Sequence, residues 1–403
     1  MSGRWLTILG IGEDGVADLS PAARALLEAA ALVVGGARHL SLADGLIRGE
    51  RLPWPSPIAD AIPAILARRP AAVAVLASGD PYCYGVGTML AQHVAAAETL
   101  CLPAPSAFSL ACARLGWALQ DCATISFCGR PIEALAPLLQ PGARVLALSA
   151  DAGTPAAVAA TLAQRGFGGS ALHVLEALGG PRERIRTAVA ASYRDDGAHP
   201  LNMLAIEIVA GPGAQVIPLA AGLPDAAFEH DGQITKHEIR AVTLAALAPR
   251  RGELLWDIGC GSGSVGIEWM LRHPANRAIG IEENAARAAR AARNATHLGV
   301  PGLQLVSGAA PGALAGLPRP DAAFIGGGAH EPGVLDAAWQ ALPADGRLVV
   351  NAITVESEAA LLALRTRIGG TLTRLSVERL DTVGRLHGYR PAMTVTQFVA
   401  VKP

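Results

Sequence analysis

Twice in this chain a short apolar run breaks into a tight turn of small residues, and a helical stretch follows each turn. The first reads Ala77-Ser78-Gly79-Asp80-Pro81-Tyr82-Cys83-Tyr84-Gly85. The second reads Leu255-Trp256-Asp257-Ile258-Gly259-Cys260-Gly261-Ser262-Gly263-Ser264. A strand that ends in glycines and feeds a helix lets backbone approach a ligand closely, and the helix start offers unpaired N–H groups. Neither turn identifies a ligand alone: glycine turns of this kind also serve only to bend the chain.

Around both turns, apolar runs alternate with Ala-rich helical segments, which predicts an α/β fold with largely parallel sheets. In the first half, Trp5 to Leu9 is a strand running into Gly10-Ile11-Gly12. Ser20-Pro21 opens a helix to about Ala31, with a cap and then Pro at the first helical position. Further strands are expected at Leu32 to Val34, Ala72 to Leu76, Val145 to Leu148, Leu172 to Leu175 and Leu204 to Val209, with a helix from about Gly87. Gly211-Pro212-Gly213 and Leu223-Pro224 punctuate the next stretch. The expected organisation is a domain over 1–210, a linker over 211–228 and a second domain over 229–403. The second domain reads as helix Lys236 to Leu247, strand Leu254 to Ile258, helix Val265 to Arg272 and strand Arg277 to Ile281. Helix Ala285 to Leu298 and strands Leu303 to Val306, Ala322 to Ile325 and Gly346 to Asn351 continue the series. No repeat of 20–50 residues links the halves.

Composition narrows the function. Lys+Arg 33 against Asp+Glu 34 gives a net charge of −1, poor material for binding nucleic acid. Lys236 and Lys402 are the only lysines, so nearly all positive charge is arginine, the side chain that grips carboxylates bidentately. The six cysteines form no CxxC pair and no spaced Cys/His set, so neither a disulfide framework nor a metal site is expected. A reducing cytoplasm is the simple reading. No basic-then-apolar leader is expected at the N-terminus. The longest charge-free stretch, Pro81 to Ala97, contains Gly85, Gly87, Gln92 and His93 and is no membrane span.

In the second half, the strand after the glycine turn ends in Gly280-Ile281-Glu282, where an acidic side chain can accept both hydroxyls of a ribose. Further segments are Asp231-Gly232-Gln233-Ile234-Thr235-Lys236-His237-Glu238-Ile239-Arg240, Ser307-Gly308-Ala309-Ala310-Pro311 and Phe324-Ile325-Gly326-Gly327-Gly328. With these, residues 229–403 resemble the class I S-adenosylmethionine (SAM) methyltransferases, and more closely the precorrin C-15 methyltransferase (decarboxylating) family. The resemblance implies a Rossmann-like domain in which Gly259, Gly261 and Gly263 face the methionine part of SAM. It sets Glu282 on the ribose and Ala309 and Ala310 on the adenine, and adds Gln233, Thr235, Asp257, Gly326 and Gly327 to the cofactor set. The family usually carries an acidic residue where Ala309 stands, so here only backbone remains there for the adenine amine.

The first half resembles the tetrapyrrole (class III) methylases, in their precorrin C-5 methyltransferase branch, over about 1–210. The resemblance rests on Gly10-Ile11-Gly12, Ser78-Gly79-Asp80-Pro81 with Tyr84-Gly85, and Pro103-Ala104-Pro105-Ser106-Ala107-Phe108-Ser109. Cys128-Gly129-Arg130-Pro131 and Gly179-Gly180-Pro181-Arg182-Glu183-Arg184-Ile185 add to it. It implies a fold of two α/β subdomains and a second SAM site formed by Gly10, Gly12, Ser78, Gly79, Asp80, Pro81, Tyr84, Ser106 and Ala107. Dimers are common in the first family and tetramers in the second, so a homo-oligomer is implied.

Two methyl-transfer folds on one chain imply one tetrapyrrole methylated twice, at C-5 and C-15, with loss of CO2 from the C-12 acetate. The sulfonium needs no enzymic nucleophile; the protein aligns the reactants and excludes water. Candidate catalytic residues for proton or carboxylate work are Lys236, His237 and Asp80. Against this, Lys236 and His237 are also plain first-turn helix residues, and Asp80 a turn former. Arg379, Arg385, His387 and Arg390 are candidates for a carboxylate-binding lip, against a solvated loop. Arg114, Arg130 and Arg182 are candidates in the first half, with Arg184 beside them. Open alternatives are a cobalt-containing substrate, an RNA methyltransferase, or a SAM- or tetrapyrrole-binding carrier with one inactive site.

Overall fold

A computed structural model describes residues 3–403. The chain forms two compact units. Unit 1 comprises 1–132 and 140–215, and unit 2 comprises 133–139 and 216–403. The change from one to the other thus falls inside the Gly/Pro-punctuated stretch, and a short segment from the first half of the sequence belongs to unit 2.

Unit 1 holds two five-stranded sheets. The first contains β1 (Leu6–Ile11), β2 (Leu32–Gly35), β3 (Glu50–Pro53), β4 (Val73–Ser78) and β5 (Thr99–Leu102), in the order β3-β2-β4-β1-β5 and parallel throughout. The burial of β1, β2 and β4 on both faces accounts for their unbroken apolar runs. The second sheet contains β6 (Cys122–Ser126), β7 (Arg144–Leu148), β8 (Ala171–Glu176), β9 (Arg184–Val189) and β10 (Asn202–Glu207), in the order β6-β7-β10-β8-β9.

This second sheet departs from the parallel expectation. Only β6 and β7 run parallel, while β10 is antiparallel to β7 and β8, and β8 to β9. The link from β8 to β9 is too short for a crossover, so the two strands turn back as a hairpin. The first helix also ends sooner than its alanines suggest, at Glu28. Ala31 is already committed to the sheet, its N–H donating to Ala72 O at 2.8 Å.

Unit 2 carries β11 (Leu254–Ile258), β12 (Arg277–Glu282), β13 (Gln304–Ser307), β14 (Ala322–Ile325), β15 (Arg347–Ala352) and β16 (Thr371–Leu375). A hairpin of β17 (Glu378–Val383) and β18 (Leu386–Pro391) follows, and then β19 (Val395–Val401). The main sheet runs β13-β12-β11-β14-β15-β19-β16. Its first five strands are parallel, while β19 inserts antiparallel between β15 and β16. The strand order reverses between β11 and β14, and in open α/β sheets the crevice at such a reversal receives the ligand. Trp269, fully buried, centres the core on one face, together with Leu247, Ile267 and Phe324. Among the described residues, no helix is long and apolar enough to cross a membrane.

Candidate active sites

In unit 1 the carboxyl ends of β1, β4 and β5 converge. Gly79 donates its N–H to Ile11 O at 3.2 Å, and Ala104 donates to Gly79 O at 3.1 Å. Gly10 lies under this crossing: a Cβ there would stand 2.0 Å from Gly79 O and 2.3 Å from Ala104 N. No side chain fits, so the glycine is what lets the Ser78–Pro81 turn settle on β1. Ser106 caps the helix Ala107–Leu115, its Oγ accepting from Ser109 N at 3.1 Å. The predicted cofactor residues Gly10, Ser78, Gly79, Ser106 and Ala107 are therefore brought together from three strand ends.

Asp80 is engaged in its own turn, its Oδ1 accepting from Tyr82 N at 2.8 Å. Tyr84 meets Phe108 edge-on at 5.9 Å, and the Arg130 guanidinium lies 5.3 Å from its ring centre. Arg114 is already paired: Nε and Nη2 donate to the two oxygens of Glu183 at 2.5 and 3.0 Å. Arg184 is paired with Glu176.

Unit 2 contains a cavity of about 980 Å³ at the carboxyl ends of β11, β12, β14 and β15. Its lining includes Gln233, Thr235, Asp257, Gly259, Gly261, Glu282, Ala309, Ala310, Gly326 and Gly327, all drawn from the predicted cofactor set. Gly259, Gly261 and Gly263 adopt φ of 69°, 56° and 76°, the left-handed region that glycine enters without strain. Gly263, however, is not part of the lining; its Cα faces the helix Ala285–His297, where a Cβ would stand 3.1 Å from Ala291 Cβ. Its smallness serves helix packing.

Glu282 holds the glycine loop. Its Oε2 accepts from Gly261 N at 2.9 Å and its Oε1 from Asn284 N at 3.0 Å. Each carboxylate oxygen keeps a second lone pair, so ribose hydroxyls can still be accepted. Asp257 is 1% exposed; Oδ2 accepts from Gly266 N at 2.8 Å, and Oδ1 is buried with no partner. Burial, with the Glu282 charge nearby, pushes the Asp257 carboxyl up to about 7. Ser262 Oγ is likewise buried without a partner. Unclaimed polar atoms beside a glycine loop and an acidic strand end fit a nucleoside with a charged amino-acid tail. Burial raises the Cys260 thiol far above its ordinary range, so it is a packing residue and no nucleophile.

Of the candidate catalytic residues here, Lys236 lines the cavity and His237 does not. Lys236 Nζ is 3.8 Å from Asp225, and His237 Nδ1 is 3.3 Å from Glu238. The basic group near the C-terminus is the β17–β18 hairpin, not a loop. Arg379 lines the cavity and pairs with Glu238. Arg385, His387 and Arg390 are exposed and outside the lining, with Arg390 on Asp381.

Sequence reasoning missed Asn351, Arg287 and His330, which also line the cavity. Asn351 Nδ2 donates to Thr243 Oγ1 at 2.9 Å, and its Oδ1 accepts from Gln397 at 3.0 Å. Its place near the carboxyl end of β15 was the available signal. Arg287 Nε donates to Asp231 at 2.9 Å and its Nη2 to Gln233 Oε1 at 2.6 Å, tying the Asp231–Lys236 wall to the helix Ala285–His297.

Residues 6–192 match the family Tetrapyrrole (Corrin/Porphyrin) Methylases, and residues 226–402 match the Precorrin methyltransferase domain. A Sinorhizobium precorrin-6Y C(5,15)-methyltransferase [decarboxylating] is 56% identical over 98% of this chain and 95% of its own length. The chain belongs to the family of precorrin-6Y C(5,15)-methyltransferases (decarboxylating). A Mycobacterium tuberculosis member is 40% identical over 98% of this chain and 100% of its own. A Salmonella typhimurium cobalt-precorrin-7 C(5)-methyltransferase is 34% identical over 47% of this chain and 94% of its own. The family's enzymes are bifunctional SAM-dependent methyltransferases of cobalamin biosynthesis, and this chain is one of them.

Proposed function

We propose that the two units divide the reaction, with one SAM in each. Unit 1 methylates C-5 of precorrin-6B, and unit 2 methylates C-15 and removes CO2 from the C-12 acetate, giving precorrin-8. The observation that carries this reading is the pairing of two different sites in one chain: the Gly10–Gly79–Ala104 crossing and the Gly259–Glu282 cavity.

Bound SAM supplies an electrophilic methyl on sulfur; the chain's part is to bind, orient and exclude water. In unit 2, Gly259 and Gly261 form the close-approach wall, Glu282 accepts the ribose hydroxyls, and Asp257 and Ser262 take the charged tail. Gln233, Thr235, Gly326 and Gly327 complete the enclosure, and backbone at Ala309 and Ala310 meets the adenine. In unit 1, Gly10, Gly12, the Ser78–Pro81 turn, Tyr84, Ser106 and Ala107 play the corresponding parts. Lys236 and Arg379 hold substrate carboxylates at the cavity mouth, exchanging Asp225 and Glu238 for them. A carboxylate so held leaves as CO2 while the bonding electron pair passes into the protonated pyrrolenine of the substrate itself.

The protein is proposed to act in the cytoplasm as a homo-oligomer. The β17–β18 hairpin supports the second point, because it exposes Leu380, Val383, Leu386 and Tyr389 by 61–75%. A second copy of the chain is the proposed cover. The deciding test is mass spectrometry of precorrin-6B after incubation with SAM and the full-length protein. Two methyl groups gained and one CO2 lost is the expected product. No change of mass, in protein that binds SAM, would refute the metal-free substrate and turn attention to the cobalt form.

A further inference from the structure

Unit 1 gathers a polar cluster from separate stretches of chain, joining the already assigned Ser78 and the candidate Arg182 to three residues not assigned so far. Glu13 follows β1, Arg38 and His39 follow β2, Ser78 ends β4, and Arg182 lies in the loop after β8. Arg38 Nη1 donates to Glu13 Oε1, and Arg182 Nη2 stands 3.8 Å from Glu13 Oε2. The loop is pressed close: a Cβ on Gly180 would lie 2.4 Å from Glu13 Cβ. Arg38 Nη2 also donates to Ser78 Oγ at 2.9 Å and to His39 Nε2 at 2.8 Å. Guanidinium N–H groups only donate, so His39 Nε2 accepts and the ring is neutral. Burial and the Arg38 charge push its pKa down to about 4, in keeping with that geometry.

The charges do not balance. Two guanidiniums share one carboxylate and His39 adds nothing, whereas Arg114 holds both oxygens of Glu183, and Arg184 and Arg186, which share Glu176, have Asp196 as a second carboxylate. The excess also faces outward: the Glu13 side chain is 8% exposed, Arg38 35% and Arg182 67%. Burial, and after it the Arg182 charge, lowers the pKa of Arg38. A pair of crowded, outward guanidiniums over one buried carboxylate is an anion receptor, with arginine's planar fork suited to a carboxylate. Ser78 places it against the turn assigned above to the methyl donor.

We infer that Arg38 and Arg182 anchor one peripheral carboxylate of the tetrapyrrole in unit 1, which takes the place of Glu13 as their partner. The anchor fixes which edge of the macrocycle lies beside the donor, so it determines position as well as affinity. The inference rests on the reading of unit 1 as the C-5 methyltransferase.

The test measures C-5 and C-15 methylation of precorrin-6B in the full-length protein, with C-15 transfer and CO2 release as the control for folding. Arg38→Gln is expected to raise the KM for the tetrapyrrole in C-5 transfer 10- to 100-fold, with the KM for SAM unchanged. Arg38→Lys, which restores charge without the fork, recovers part of this. Glu13→Gln is expected to lower the tetrapyrrole KM, because no internal carboxylate competes. A purely structural ion pair predicts otherwise: Arg38→Gln and Glu13→Gln then fail together and the KM for SAM rises. That result, or a tetrapyrrole KM in Arg38→Gln within twofold of wild type, overturns the anchor. Absence of C-5 transfer in the wild type, with C-15 transfer intact, removes the underlying reading and the anchor with it.

Discussion

Gly261 donates its backbone N–H to Glu282 Oε2 at 2.9 Å, so the glycine loop after β11 and the acidic end of β12 move as one piece. Glu282→Ala removes both the loop's tether and the proposed ribose acceptor. Hydrogen bonds to charged groups contribute about 1.5–3 kcal/mol, which corresponds to roughly 10- to 100-fold in affinity. Calorimetric titration with SAM should show one of two sites weakened by that factor. Mass spectrometry should show a product methylated at C-5 and not at C-15.

The reverse separation is expected from Gly10→Ala. The added Cβ would meet Gly79 O and Ala104 N far inside contact distance, and both are backbone atoms that cannot swing aside. The Ser78–Pro81 turn must shift, at about 1–3 kcal/mol or more of stability. C-5 transfer should disappear while C-15 transfer and CO2 release persist; loss of both would contradict the proposed division.

Asp257 makes unit 2 sensitive to pH in the absence of donor. Its folded pKa, about 7, lies above the ordinary 3.8, so the folded state binds its proton more tightly than the unfolded state. The stabilisation is therefore complete below about 4 and is lost as pH rises through 7. Denaturant unfolding of unit 2 at pH 5 and pH 8 should show this decline in the wild type. Asp257→Asn should flatten it; an unchanged slope in the variant would assign the effect elsewhere.

Arg240 and Glu268 are both fully buried and joined at 2.5 Å. Arg240→Met leaves Glu268 without its cation and should cost about 3–5 kcal/mol. The double variant with Glu268→Leu should recover only part of this. Glu268 also accepts the N–H groups of Gly222 and Leu223 at 2.7 and 2.9 Å, and an apolar side chain leaves those donors unpaired. Urea midpoints of the wild type and the two variants decide it.

The hairpin gives a prediction about assembly. Leu386→Asp with Val383→Asp should shift the protein to a smaller species in sedimentation velocity, with both SAM sites retained. Unchanged sedimentation would remove the hairpin as the contact between copies.

Much of the parallel framework was legible, because strands buried on both faces leave unbroken apolar runs such as Val73-Ala74-Val75-Leu76. The glycine loop and Glu282 were legible because backbone geometry and strand ends constrain residue type. The strands β9, β17 and β18 were not, since mostly exposed strands carry no apolar run. At Gly263 the sequence is ambiguous, because packing against the helix Ala285–His297 demands the same small residue as a ligand does. The Glu13–Arg38–Arg182 cluster has no spacing to read: its members lie on separate connections, and only the fold brings them together.

The wall of the unit 2 cavity formed by Gly232–Lys236 is not held by the sheet it covers. Arg240 reaches back to Leu223 O, Asp225 and Thr235 O, and Glu268 takes Gly222 and Leu223, so the stretch from 222 onward is fastened from beneath. A gene-splitting experiment that began the second half at 229 would cut away part of its own fastening. Expressed from 216, the same half would keep it, and the two versions should differ in SAM affinity although every lining residue is present in both.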